Sequence, residues 1–235
     1  MPAARATSEG TATERSSRAS EQGARRLVIG VMGAPGSGKG EVARVFGELG
    51  ARVIALDALG HELLRNAEVR EEIRAEFGAG VLDSSGEVSR EALGRVVFAD
   101  VARLRRLEAI VHPRMVARVR AEVDEFRKLP RGSGPPALVI EGALLLEMGL
   151  EPLCDRVLLV TAPRDVRAER LRQSRGWGPE ELARRERAQL DDESRRARAH
   201  AVVENASGRR ELERRVRGLW EEWTWETGEK RNRSN

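Results

Sequence analysis

Residues 27–49 read LVIGVMGAPGSGKGEVARVFGEL. Leu27–Met32 is an unbroken apolar run with the length of a buried strand, and Gly33–Gly40 (GAPGSGKG) is a glycine-rich turn. Val42, Val45, Phe46 and Leu49 then recur at the i, i+3, i+4, i+7 spacing of one helix face. Strand, glycine turn and helix in that order form the context in which a backbone loop binds phosphate. Glycines let consecutive amides converge on phosphate oxygens, because no Cβ blocks close approach or positive φ. The helix that follows directs its positive end at the same anion.

The pattern G-x-x-x-x-G-K-[ST] is met from Gly33 to Lys39, and its last position holds Gly40 instead of Ser or Thr. The hydroxyl that usually faces Mg²⁺ is therefore missing. The nucleotide-binding set expected from the loop is Gly33, Pro35, Gly36, Ser37, Gly38, Lys39 and Gly40, with Glu41 beside it at the helix start. Of 42 cationic residues only Lys39, Lys128 and Lys230 are lysines. A chain that writes nearly every cation as Arg keeps Lys at the motif position, where a compact ammonium on a thin stem is required.

Outward from this stretch, Arg52–Leu56 reads as a short buried strand ending at Asp57. Ala137–Ala143 and Arg156–Ala162 read as central parallel strands, and Ala201–Glu204 as a weaker fifth strand. The section from about 58 to 129 is helical in pattern, with turns at Phe77–Gly80 and Asp83–Gly86. Ser89 marks one helix start and His112-Pro113 another. Pro163–Ala199 is helical and dense in Arg and Glu. Arg209–Thr227 sets Leu212, Val216, Leu219, Trp220 and Trp223 on one face of a closing helix. Strands separated by helices predict an α/β fold, a three-layer doubly wound parallel sheet whose ligand lies at the strand C-termini. Gly33, Asp57, Glu141 and Thr161 all follow or close strands, so they converge on that rim.

The 235 residues are enough for one sizeable domain, with a net charge of +4 and acids interspersed among the arginines. That balance suits a polyanionic small molecule and gives no special reason for nucleic acid. A single cysteine, Cys154, excludes an internal disulfide and a cysteine metal cage, suits the cytoplasm, and is expected to be buried and inert. No apolar run is long enough to span a bilayer. Residues 1–25 are expected to be a disordered tail and 228–235 a polar tail, flanking a domain at 26–227. Oligomeric state is not legible.

Phosphoryl transfer needs phosphate neutralisation, a metal and a group that deprotonates the acceptor hydroxyl. Lys39 and the loop amides supply the first. Asp57 is the candidate to accept the acceptor's proton or hold a metal-bound water, and an Asp there also suits the N-cap of the next helix. Glu141 is the candidate to sit near Mg²⁺ through water. Arg164–Arg175 is the candidate lid, with Arg170 and Arg175 as phosphate clamps and Gly176 as hinge or helix stop. His61 and His112 are isolated, with no metal-ligand spacing between them.

Several further stretches resemble the dephospho-coenzyme A kinase family. These are ELGARVIALDALGHELL after the loop; Phe77-Gly78, Val81-Leu82, Gly86 and Val97-Phe98; and Leu107–Pro113 (LEAIVHP). Leu144–Glu147, Ala162-Pro163, Ala188-Gln189, Arg196–Ala199 and Glu204-Asn205 complete the series. The resemblance runs from about residue 27 to 223 and rests on order and spacing. It implies ATP- and Mg²⁺-dependent phosphorylation of the ribose 3′-hydroxyl of dephospho-coenzyme A. It also implies five parallel strands, a helical acceptor-binding subdomain at 58–129 and a lid at 164–190. Asp57 falls on the family's catalytic base and Asn205 on a position near the adenine. The sequence departs from the family at Gly40-Glu41, Ala55, Ala143 and Ser174-Arg175. The residues alone also fit a kinase for another small molecule, or a relative that binds nucleotide without catalysis.

Overall fold

The computed structural model describes residues 26–130, 133–187 and 189–232, with side chains described as far as Trp225. The expected N-terminal tail and residues 233–235 lie outside the described residues. Five parallel strands, β1 (Leu27–Met32), β2 (Arg52–Ala55), β3 (Ala137–Glu141), β4 (Arg156–Thr161) and β5 (Ala201–Glu204), lie in the order β2-β3-β1-β4-β5. Helix α1 (Lys39–Glu48) joins β1 to β2. Helices α2 (Leu56–Leu63), α3 (Ala67–Phe77), α4 (Arg90–Phe98) and α5 (Val101–Lys128) fill the interval before β3. Helices α6 (Arg164–Arg175), α7 (Pro179–Arg187) and α8 (Asp192–Arg198) link β4 to β5, and α9 (Arg209–Asn232) closes the domain.

The central strands are apolar along their whole length because both faces of the sheet are covered. Side chains alternate between the faces. Val28 and Met32 of β1, with Leu138 and Ile140 of β3, join Val119, Val123 and Phe126 of α5 in one core. Leu27, Ile29 and Val31 of β1 join Val42, Val45 and Phe46 of α1 and Leu212, Val216 and Trp223 of α9 in the other. Each such side chain, fully buried, contributes about 1.5–3 kcal/mol. Gly30 belongs to the first face, and a Cβ there would stand 2.9 Å from Cys154 Sγ and 3.0 Å from Leu145 Cδ1. A third, smaller core of Val69, Ile73, Val81, Leu93 and Val97 belongs to the helical insertion alone. The strand starts are fastened by side chains: Asp155 Oδ2 accepts from the Val28 amide at 2.8 Å, and His200 Nδ1 accepts from the Val157 amide at 3.0 Å.

Four sequence expectations need correction. β2 is an edge strand, not a buried one, and Val53 is 37 % exposed; a short apolar run fits an edge covered on one face as well as a centre. Leu56 is the first residue of α2, the N-cap is Ala55, and no side chain caps that helix, so Asp57 is not the cap. His112-Pro113 starts no helix, because α5 runs through Pro113 without a break. Its buried stripe Val111, Met115, Val119, Val123 and Phe126 passes across the proline, and that packing outweighs the one hydrogen bond a proline removes. The last helix continues to Asn232, beyond Thr227 and into the expected tail. Ser89 does cap α4, accepting from the Ala92 amide at 3.3 Å.

Candidate nucleotide and acceptor site

The loop between β1 and α1 owes its shape to glycines at 33 and 38. Gly33 has φ +152°, and a Cβ there would stand 2.2 Å from the Val160 carbonyl oxygen. Gly38 has φ +100°, and a Cβ there would stand 2.1 Å from Asn205 Nδ2. That amide donates to the Ser37 carbonyl at 2.9 Å, and the Asn205 backbone amide donates to Thr161 at 2.7 Å. Asn205 is buried. It braces the loop from behind. Arg170 completes the brace, donating to the Gly36 carbonyl at 3.4 Å and the Asn205 carbonyl at 3.1 Å.

Among the described residues the amides of Gly36, Gly38, Lys39 and Gly40 donate no hydrogen bond. Four unengaged donors at a helix N-terminus fit the oxygens of a polyphosphate. Lys39 Nζ rests on the Ala34 carbonyl at 3.3 Å. Burial holds its pKa below the ordinary lysine value; the carboxylates of Glu141 and Asp57 oppose that shift, while Arg195 and Arg175 reinforce it. Burial likewise raises the Glu141 carboxyl above the usual range, with Lys39 pulling the other way and Asp57 adding to the rise. Lys39, Asp57, Glu141 and Arg175, far apart in the chain, therefore share one electrostatic neighbourhood.

Glu41 is engaged elsewhere. Its carboxylate accepts from Arg44 Nη2 at 2.7 Å and Nε at 3.1 Å, and pairs with Arg209 Nε at 2.9 Å. These cations hold its pKa low, the Arg44 hydrogen bond foremost. A bare carboxylate about 4 Å from a phosphate would cost about 4 kcal/mol near a protein surface; two guanidinium groups offset that charge. Cys154 is half-buried, less enclosed than expected, and burial pushes its thiol up to about 12, so it is inert.

A cavity of about 320 Å³ opens between the loop and the helical insertion, lined by Lys39, Asp57, Leu107, His112, Arg175 and Trp177 among others. Arg175 lies over the Trp177 ring at 5.0 Å, just before Gly176, which ends α6 at φ +67°. Arg185 of α7 lies over both Phe98 (4.0 Å) and Trp177 (4.5 Å), joining the lid segment to the insertion.

Sequence reasoning missed Arg167, Trp177 and Arg195. Arg167, 7 % exposed, donates to the Pro35 carbonyl at 3.3 Å and pairs with Glu186 at 2.8 Å. Its signal was the three-residue spacing from Arg170, which sets both side chains on the face of α6 toward the loop. Arg195, 4 % exposed, donates to Gln189 Oε1 at 2.6 Å, and nothing local distinguished it among so many arginines. His112, read as isolated, lines the cavity.

A parallel sheet with its anion loop between β1 and α1, and with a helical insertion facing that loop, is the P-loop kinase fold. The CoaE model, described as dephospho-CoA kinase, matches residues 27–211. The chain belongs to the dephospho-CoA kinase family. It is 37% identical over 194 residues to the dephospho-CoA kinase of Symbiobacterium thermophilum, covering 82% of this chain and 80% of that one. It is 41% identical over 180 residues to that of Anaeromyxobacter dehalogenans, covering 76% and 83%. The crystal structure of TT1252 from Thermus thermophilus superposes with a TM-score of 0.67 at 37% identity, covering 84% of this chain and 98% of that one.

Proposed function

We infer that the chain transfers the terminal phosphoryl group of ATP to the 3′-hydroxyl of dephospho-coenzyme A, giving coenzyme A and ADP. This is the last step of coenzyme A biosynthesis. The observation that carries the reading is the meeting of Lys39, Asp57 and Glu141 beside four unengaged loop amides, in a chain of this family.

The roles follow from charge and position. The amides of Gly36, Gly38, Lys39 and Gly40 cradle the phosphates, and the Lys39 ammonium offsets the charge that grows on the bridging oxygen as its bond to phosphorus breaks. Asp57 accepts the proton of the 3′-hydroxyl as the new oxygen–phosphorus bond forms. Arg175, at the end of α6, clamps the moving group and shields it from water. Arg170 and Asn205 keep the loop in shape. Among the described residues no three His, Cys, Asp or Glu side chains form a metal cage. That suits Mg²⁺, which keeps its waters and binds through substrate phosphates and one or two carboxylates. Glu141 is the carboxylate that would hold it, through water, and it would supply charge neutralisation on the phosphates. No helix among the described residues is long and apolar enough to cross a membrane.

Incubation with ATP, Mg²⁺ and dephospho-coenzyme A, followed by product analysis, yields coenzyme A and ADP. Lys39→Ala and Asp57→Asn each lower kcat/KM by about 100-fold or more. Absence of the 3′-phosphorylated product, or undiminished turnover in either variant, contradicts the reading.

A further inference from the structure

Two cavities open from Asp57. They share a junction that includes Asp57, His112, Arg175, Trp177 and Arg185, then part. The first, already described, runs on over the apolar side chains Leu64, Phe98, Leu104, Leu107 and Val111, with Glu108 and Lys39 also on its wall. The second, of about 660 Å³, runs on over His61 and Arg90. Its lining carries three arginines, Arg90, Arg175 and Arg185, and two histidines, against a single acid, Asp57. Arg185 is already engaged by Glu181 at 2.9 Å. Arg90 and Arg175 have no carboxylate partner among the described residues, although most arginines near an acid in this chain are paired with one. His61 feels both: burial lowers its pKa first, and Arg90 and Arg175 lower it further. Asp57 opposes that shift, and the three groups line one common space, where the His61 ring can donate a hydrogen bond.

The acceptor must present its ribose 3′-hydroxyl to Asp57. The same ribose carries a diphosphate ester at its 5′ carbon, one sugar width away, with two negative charges to satisfy. Arg175 lines both spaces adjoining Asp57; the first adds Lys39, already committed to the nucleotide loop, and the acid Glu108, whereas the second adds Arg90 and no further carboxylate. We propose that this second cavity is the subsite for the acceptor's 5′-diphosphate, gripped by Arg90 with His61 beside it, while Arg175 stands at its junction with the nucleotide loop. Guanidinium groups bind phosphate oxygens in pairs of hydrogen bonds, so Arg90 selects acceptors that carry the diphosphate over those that lack it. The proposal rests on the reading of the acceptor as dephospho-coenzyme A.

The test compares two acceptors, dephospho-coenzyme A and adenosine, with wild type, Arg90→Ala and Arg90→Lys. Arg90 is exposed at the start of α4, and thermal midpoints verify that the variants fold. The ratio of kcat/KM for dephospho-coenzyme A over adenosine falls about tenfold or more in Arg90→Ala, and Arg90→Lys recovers part of it. KM for ATP stays within about twofold, since Arg90 lines only the second of the two cavities. Where adenosine turns over too slowly, calorimetric titration of the two acceptors gives the same ratio. An unchanged ratio, or equal losses for both acceptors, overturns the subsite. Failure of the wild type to phosphorylate dephospho-coenzyme A at all strikes instead at the proposed reaction, so the two failures are distinguishable.

Discussion

Gly40 has no heavy atom within 4 Å of the point where a Cβ would stand. A serine therefore fits there, in the first turn of α1, and restores the hydroxyl that the motif normally carries. Gly40→Ser is expected to lower the Mg²⁺ concentration for half-maximal rate by about three- to tenfold, read from a Mg²⁺ titration at saturating ATP; a rise would mean that the loop is shaped against the hydroxyl. Glu141 gives a pH prediction. Burial disfavours its charged form and raises its pKa, so as pH falls it protonates earlier than a free glutamate and Lys39 loses a partner. The acid limb of kcat/KM for ATP thus lies above the ordinary carboxylate range, and Glu141→Gln moves that limb to lower pH; an unmoved limb excludes Glu141 as its source. The glycines and Lys39 were legible because the loop is written in eight consecutive residues. The brace was not: Asn205 reaches Ser37 across 168 positions, and only a resemblance singled it out, for another contact. Asp57 was legible by its place after a strand, although it stands inside the first turn of α2 and not at its cap.

Among the elements, α5 departs furthest from its local signals. Pro113 removes the amide that would bond the Ala109 carbonyl, yet the helix spans 28 residues. Arg114 Nη1 reaches the neighbouring Ile110 carbonyl at 2.6 Å. Proline rules weigh one hydrogen bond and one ring; they do not count the five buried side chains that straddle it, Val111 before and four after. Pro113→Ala is expected to stabilise the protein by about 1 kcal/mol, the regained bond being partly offset by a freer unfolded chain. In calorimetry this is a rise of about 2–4 °C in Tm; a fall would show that the helix is built around the ring. The strands were legible in place and direction, since runs such as LVIGVM and RVLLVT have few other uses. The edge position of β2 was not, because strand order depends on which helix crosses over which face, and no single strand records that.

At the scale of the whole molecule, two packed faces hold the sheet while the insertion and the α6–α7 segment meet over the loop. Their junction is thin: Arg185 between Phe98 and Trp177, against the fully buried cores beneath. Cation–π contacts contribute about 0.5–2 kcal/mol, so Phe98→Ala is expected to speed amide exchange in residues 164–187 about three- to tenfold. Exchange in β1, β3 and β4 stays as in the wild type. Uniform acceleration everywhere would mean that Phe98 serves global stability instead. The overall layering was legible from the alternation of strands and helices. The meeting of insertion and lid was not, because it depends on Trp177, which nothing singled out, and on Phe98, which the resemblance marked without any partner.

The brace behind the loop has a bearing on biosynthesis. The segment that contacts phosphate is among the first of the domain to leave the ribosome, whereas Asn205, which holds it in shape from β5, is among the last. A nascent chain is thus unready for nucleotide until translation is nearly finished. A molecule truncated before β5 lacks the amide that holds the Ser37 carbonyl, and its loop is expected to grip ATP more weakly than that of the finished domain.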